Sequence, residues 1–287
     1  MLLAMSNGNL PTLSRRGFTL LLGVSALAVR ARGANKKIPV GLELFSVRKE
    51  LAQNEPQTLQ SVAKMGYECV EFFSPYYDWT TDHAKDVRKQ LDDLGLKCYS
   101  THNGPKSFSS DGVSKAIDLN KILGAKYVVM ASPGKTSTLD DWKKVAETLN
   151  KANAAMKHSG LHAGYHNHIA EWKPLGDQVP MVVLADNTDK SVMLQLDVGH
   201  CVAAGADPVQ WIDAHPGRIR SMHLKDWSPE KHFDVLIGEG IVKWNELLQA
   251  AETKGGVEYY LIEQEGGPYS ENEAADKSLI AFKNIKR

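Results

Sequence analysis

The chain has 287 residues, 43% hydrophobic and 24% charged, an ordinary globular composition with room for one large α/β domain or two small ones. Lysine plus arginine and aspartate plus glutamate both number 34, so no basic excess supports a general nucleic-acid-binding surface. The three cysteines, Cys69, Cys98 and Cys201, are widely spaced and odd in number, which fits buried free thiols and no zinc-type or redox motif.

Near the start, Ser14-Arg15-Arg16-Gly17-Phe18-Thr19-Leu20 opens an uncharged run from Gly17 to Val29. A positive segment followed by a short apolar one reads as an export signal, because a spanning helix needs about 20 apolar residues. The paired arginines before Gly-Phe-Thr-Leu resemble the twin-arginine signal, with Thr19 where leucine is commonest. An ordinary secretory signal or a retained anchor is the alternative. Residues 1–31 are therefore expected to be a twin-arginine-type signal and short linker, with small-x-small cleavage sites at Ala26-Leu27-Ala28 and Val29-Arg30-Ala31. Cleavage after Ala28 leaves 32 basic residues against 34 acidic ones, and no later apolar run is long enough to span a membrane. The expected location is periplasmic or exported, and that route carries proteins already folded, which suits an enzyme loaded with metal in the cytoplasm.

From Lys37 onward short apolar, β-rich runs alternate with amphipathic segments. The runs are Ile38–Phe45, Tyr67–Phe73, Leu96–His102, Lys126–Ala131, Leu161–His166, Val192–Asp197, Arg218–Leu224 and Val257–Glu263. Helix punctuation lies between them. Pro56 falls in a first turn, glycines stop helices at Gly66, Gly95, Gly124 and Gly160, and Asp207-Pro208 reads as a cap with proline at the first helical position. Continuous apolar strands separated by helices imply parallel pairing. Eight such units in residues 37–287 predict a single-domain (β/α)8 TIM barrel. A doubly wound open sheet is the runner-up, but no Gly-x-Gly-x-x-Gly follows the first strand.

A barrel builds its active site at the C-terminal ends of its strands, so each exit is informative. These exits carry Glu43, Glu71, His102, His166-Asn167-His168, Asp197 with His200, His223 with Lys225, and Glu263. Any one of them has a structural explanation, such as a turn or a strand reaching water. Imidazole and carboxylate recur at the same end of four successive strands, and that recurrence points to a site. Histidine and carboxylate without a converging cysteine suit Zn²⁺, Mn²⁺ or Fe²⁺, with cobalt or nickel also compatible. Such a cation polarises a carbonyl and stabilises an enediolate as a neighbouring proton leaves.

These motifs, in order, resemble the sugar phosphate isomerase/epimerase family of the xylose isomerase-like TIM barrel superfamily. They are Ile38 to Arg48, His166-Asn167-His168, Leu196-Asp197-Val198-Gly199-His200, His223-Leu224-Lys225-Asp226, Ile237-Gly238-Glu239-Gly240 and Ile262-Glu263-Gln264-Glu265. The resemblance implies one divalent metal, with manganese preferred and Zn, Co, Fe or Mg as alternatives. It carries Asp197, His223 and Glu263 onto three ligand positions. The fourth departs from the family pattern, which has glutamate at the fifth strand's end. Either His166 ligates or Glu171 reaches the metal, and His166 is preferred.

In ketose epimerases that first glutamate is both ligand and base, so here His168 or Glu171 would take the base role. Lys225 would stabilise an oxyanion, and Glu43, His102 and His200 would contact substrate hydroxyls. Trp172 and Trp227 would stack a sugar face or pack loops.

The expected function is a divalent-metal-dependent isomerase or epimerase acting on a sugar or keto-sugar. A close alternative is a lyase that abstracts a proton beside a ketone and expels a β-substituent, as in 3-keto-glycoside cleavage or inosose dehydration. An endonuclease IV-like phosphodiesterase and a non-catalytic sugar-binding protein fit less well. The expected partner is a small carbohydrate, with no nucleic acid and no stable membrane anchor; a homo-oligomer is left open.

Overall fold

Residues 37–285 are described in the computed structural model, so the export-signal reading of residues 1–31 lies outside them. The strands among the described residues are β1 (Val40–Glu43), β2 (Cys69–Phe72), β3 (Lys97–Asn103), β4 (Tyr127–Met130), β5 (His162–His166), β6 (Met193–Asp197), β7 (Ser221–Leu224) and β8 (Tyr259–Ile262). Each pairs in parallel with its sequence neighbour, and β8 returns to β1, so the sheet closes as a (β/α)8 barrel.

The strands are shorter than their apolar runs. The first run leaves the sheet after Glu43, whose carboxylate accepts from Phe45 N at 3.3 Å and caps a helical turn over Leu44–Val47. Helix punctuation follows the sequence closely. Asn54 caps Glu55–Met65 with Pro56 inside the first turn, and the helix stops at Gly66, whose φ of 96° suits a residue without Cβ. Asp207 caps Pro208–Ala214 through Val209 N and Gln210 N. No helix among the described residues is long and apolar enough to cross a membrane.

Inside the barrel, alternate residues of each strand form two levels. The lower one is apolar, with Cys69, Tyr127, Val129, Met193, Tyr259 and Leu261 in one cluster. Gly41 belongs to this tight layer: a Cβ there would lie 2.5 Å from both the carbonyl oxygen and the sulfur of Cys69. Above it the residues are polar, and register sets neighbours at one height, with Glu43 beside Glu71, His166 beside Gln195 and Asp197 beside His223. All three cysteines are buried free thiols.

Candidate metal centre

The polar level is buried almost completely. Glu43, Glu71, Gln195, Asp197 and His223 are fully enclosed, and His166 is 2% exposed. Buried charges are tolerated only when paired or coordinated, so their partners define the site.

Gln195 and Glu71 organise its floor. The Gln195 carbonyl oxygen meets His102 Nε2 at 2.7 Å and His166 Nδ1 at 3.1 Å, and its amide donates to Glu71 Oε1 at 3.1 Å. This arrangement fixes both imidazole rings. His223 lies between two carboxylates, with Nδ1 2.8 Å from Glu263 Oε2 and Nε2 2.7 Å from Glu71 Oε2. Only a ring protonated on both nitrogens can donate both bonds. Burial works against that charge, but the bonds from Glu263 and Glu71 lift His223 to about 10. Burial would likewise raise Glu71, yet the charges of His102 and His223 and the His223 bond bring it down to about 2. Burial, then the Glu71 and Glu263 charges, push Glu43 well above the usual carboxylate range. Burial first, then the neighbouring histidines, drive His166 well below its ordinary value, so its ring is neutral.

Lys225 stands at the edge of the acidic residues. Its ammonium is 3.0 Å from Glu263 Oε2 and 3.4 Å from Asp197 Oδ2, and it also bonds Glu265. Burial would lower its pKa, but the three carboxylates raise it, so this lysine is a fixed cation. The ring of Phe233 packs 5.5 Å from the ammonium and 4.9 Å from the His200 ring. Phe233 belongs to the loop after β7, which is gathered around the buried Asp226. That carboxylate accepts from Trp227 N, Gly238 N, Gly240 N, Val242 N and the Trp244 indole at 2.8–3.3 Å.

The fifth-strand exit divides its polar residues between structure and site. Asn167 zips β5 to β6, accepting from Asp197 N at 3.0 Å and donating to Asp197 O at 3.2 Å. Glu171 accepts from the Tyr165 hydroxyl at 2.7 Å and from His168 N at 3.0 Å. It therefore holds the turn in place and stands outside every potential ligand group found among the described residues. His168 is half-buried, with its ring 4.9 Å from both His166 and His200. Asp197 caps the helix Val198–Ala203 through His200 N at 2.7 Å, so the Asp-Val-Gly segment is a helix start as well as a strand exit. Trp172 is buried edge-on against Trp211, 4.9 Å away, and its ring belongs to the packing below the loop.

His166, Asp197, His223 and Glu263 each offer a ligand atom, and these atoms all lie within 4.8 Å of one another. Asp197 Oδ2 has no hydrogen-bond partner among the described residues, although it is fully buried. Two imidazoles and two carboxylates, one with a buried oxygen that meets the Lys225 ammonium but accepts no hydrogen bond, fit a borderline divalent cation. Glu43, Glu71, His102 and His223 form a second group by the same measure.

The xylose isomerase-like TIM barrel family model matches residues 59–285. The chain belongs to that family. The inosose dehydratase of Bacillus thuringiensis (strain Al Hakam) is 29% identical over 218 residues, which cover 70% of each chain. A sugar phosphate isomerase/epimerase from Parabacteroides distasonis ATCC 8503 is 29% identical with a TM-score of 0.72, covering 88% of this chain and 95% of that one. A zinc-bound structure of the IOLI protein shares the fold, with a TM-score of 0.62 and 16% identity over 86% of this chain and 95% of that one. Family members are enzymes of isomerase, epimerase and dehydratase type, and the substrate class this fold suggests is a small carbohydrate.

Glu71 and Gln195 are both visible in the sequence at their strand exits, but neither has a role that the sequence alone assigns. Both sit between apolar neighbours, in Val70-Glu71-Phe72 and Leu194-Gln195-Leu196. In a parallel strand covered on both faces, a lone polar residue must find a partner inside, and that was the available signal.

Proposed function

We propose that the protein is a divalent-metal-dependent isomerase or epimerase of sugars or keto-sugars. The convergence of His166, Asp197, His223 and Glu263 beside the fixed Lys225 cation carries this reading. His166, neutral and oriented by Gln195, suits the ligand position better than Glu171, whose carboxylate already serves Tyr165 and His168. Bound there, a divalent cation, with manganese preferred, polarises a substrate carbonyl and favours loss of the adjacent proton. Lys225 cannot act as a base while three carboxylates hold its proton, so it stabilises negative charge developing on oxygen. Half-buried His168 is the base nearest the open side, with Glu171 fixing its backbone. His200 packs against Phe233 beside Lys225, and its Nδ1, buried without a hydrogen-bond partner among the described residues, would answer a substrate hydroxyl.

A lyase is the second reading. It is favoured by the imidazole of His166 where epimerases of the family carry a glutamate that serves as both ligand and base. A single base beside a cation suffices to remove a proton and expel a β-substituent, whereas epimerisation requires proton return on the opposite face. Export by the twin-arginine route would turn either enzyme towards free keto-sugars or glycosides and away from sugar phosphates.

The test is to incubate the manganese-loaded protein in deuterated water with ketoses and with 3-keto-glucosides. Metal-dependent deuterium uptake beside the carbonyl, with an epimer or isomer formed, supports the first reading. Aglycone release without an epimer supports the second. A folded, metal-free protein that binds sugar unchanged would sink both.

A further inference from the structure

One ring faces two clusters. His223 presents Nδ1 to Glu263, in the group that includes His166 and Asp197, and Nε2 to Glu71 on its opposite edge. Around that second edge, Glu43, Glu71 and His102 each bring a ligand atom within 4.8 Å of one another and of a His223 nitrogen. His102 Nε2 and His223 Nε2 converge on the same oxygen, Glu71 Oε2, at 3.1 and 2.7 Å. None of the four residues is more than 7% exposed, and Glu43 Oε2 accepts no hydrogen bond among the described residues.

Charge points the same way. Glu43, Glu71, Asp197 and Glu263 are gathered in the two groups, and the Lys225 ammonium pairs with Asp197, Glu263 and Glu265 but not with Glu43 or Glu71. The other cationic group in contact with these side chains is the doubly protonated His223 ring, so five carboxyl groups face two cations. A divalent cation on either edge of the His223 ring supplies positive charge that this acidic cluster lacks. Uncompensated charge in a dry interior is what folded proteins avoid most strongly.

We propose that the inner edge is a second divalent-cation site, formed by Glu43, Glu71, His102 and Nε2 of His223, and that His223 bridges the two ions as an imidazolate. Both ring protons of His223 then leave to solvent as the ions bind, one from each nitrogen. Two carboxylates and two imidazoles suit manganese, zinc or ferrous iron. The proposal rests on the outer group's being a metal site, through the shared ring. The competing arrangement is a single metal whose histidine ligand is merely oriented by Glu71, a common carboxylate–histidine pairing. The two differ in stoichiometry.

The full chain would be stripped with a chelator, reloaded with Mn²⁺ and freed of excess by gel filtration. Metal would be counted by mass spectrometry and the manganese spectrum recorded by electron paramagnetic resonance. Two ions per chain with an exchange-coupled spectrum are expected. Glu43→Gln and His102→Ala should each fall to one ion without coupling, and Asp197→Ala should lose the outer ion instead. Glu43→Gln, nearly isosteric, serves if His102→Ala fails to fold. One ion in the wild type, unchanged in Glu43→Gln and His102→Ala but lost in Asp197→Ala, overturns the inner site and leaves the outer one standing. A count of two that neither inner substitution lowers also overturns it. No ion bound at all overturns both sites.

Discussion

Asp226→Asn tests how the loop over the site is held. In the wild type Oδ2 accepts from Gly238 N at 2.8 Å, Gly240 N at 3.2 Å and the Trp244 indole at 3.0 Å, while Oδ1 accepts from Trp227 N at 2.8 Å and Val242 N at 3.3 Å. An asparagine has one acceptor oxygen. Its best orientation keeps the three-donor side and turns its NH₂ towards Trp227 N and Val242 N. Two bonds to a charged acceptor are then lost, at roughly 1.5–3 kcal/mol each, with donor facing donor in their place. A destabilisation of about 3 kcal/mol follows at the low end, or roughly 6–12 °C in Tm for a domain of this size. Urea unfolding followed by circular dichroism measures it, with an unchanged m-value confirming that stability alone has moved. The loop also carries Phe233 onto Lys225 and His200, so turnover should drop as well, even with metal content unaltered. A variant within about 0.5 kcal/mol of wild type would refute the reading of Asp226 as the loop's anchor.

Three further outcomes follow from the geometry. Asp197→Ala or His223→Ala should remove the outer metal and reduce turnover by at least a hundredfold, roughly the loss seen when one strong catalytic electrostatic contact is deleted; full occupancy of that site in both variants, measured by elemental analysis, would count against the ligand assignment. In the metal-stripped protein, His223 at about 10 against an ordinary 6.5 contributes stability fully below pH 6.5 and loses it as pH rises through 10, while Glu71 at about 2 against 4.5 contributes above pH 4.5 and loses it as pH falls. Both contributions are complete between pH 4.5 and 6.5, while the depressed His166 costs stability as pH falls below 6.5. Urea midpoints should therefore peak at about pH 6.5 and decline on the alkaline side, and His223→Gln should flatten that alkaline decline. Gly41→Ala would force a methyl to 2.5 Å from Cys69, costing about 1–3 kcal/mol or more by overpacking, which thermal unfolding would register; an unchanged Tm would show that the lower layer has slack.

The fold could be read from the sequence because its signals are local. Buried parallel strands leave continuous apolar runs, and helix stops such as Lys64-Met65-Gly66 record a left-handed backbone directly. The strand-exit residues were equally visible, and the structure brings Asp197, His223 and Glu263 together with His166. What could not be read was the division of labour among neighbouring polar residues. His166, Asn167, His168 and Glu171 look alike as candidates along the chain. Whether a side chain meets the barrel axis, a neighbouring strand or its own turn depends on register and strand length, which the apolar runs overestimate. Glu71 and Gln195 matter through residues more than 90 positions away, such as the His102–Gln195 contact, and no local spacing encodes that.

The thiols carry a consequence for how the chain comes to exist. Cys69, Cys98 and Cys201 are all buried and unpaired, and burial raises each thiol above its ordinary pKa, so little nucleophilic thiolate forms. The barrel thus closes without waiting for an oxidant, and once closed it gives a disulfide-forming catalyst nothing to act on. Its maturation is indifferent to redox conditions: the same native chain should result in a reducing cytoplasm and in an oxidising envelope, and the order of folding and transport need not affect its covalent structure.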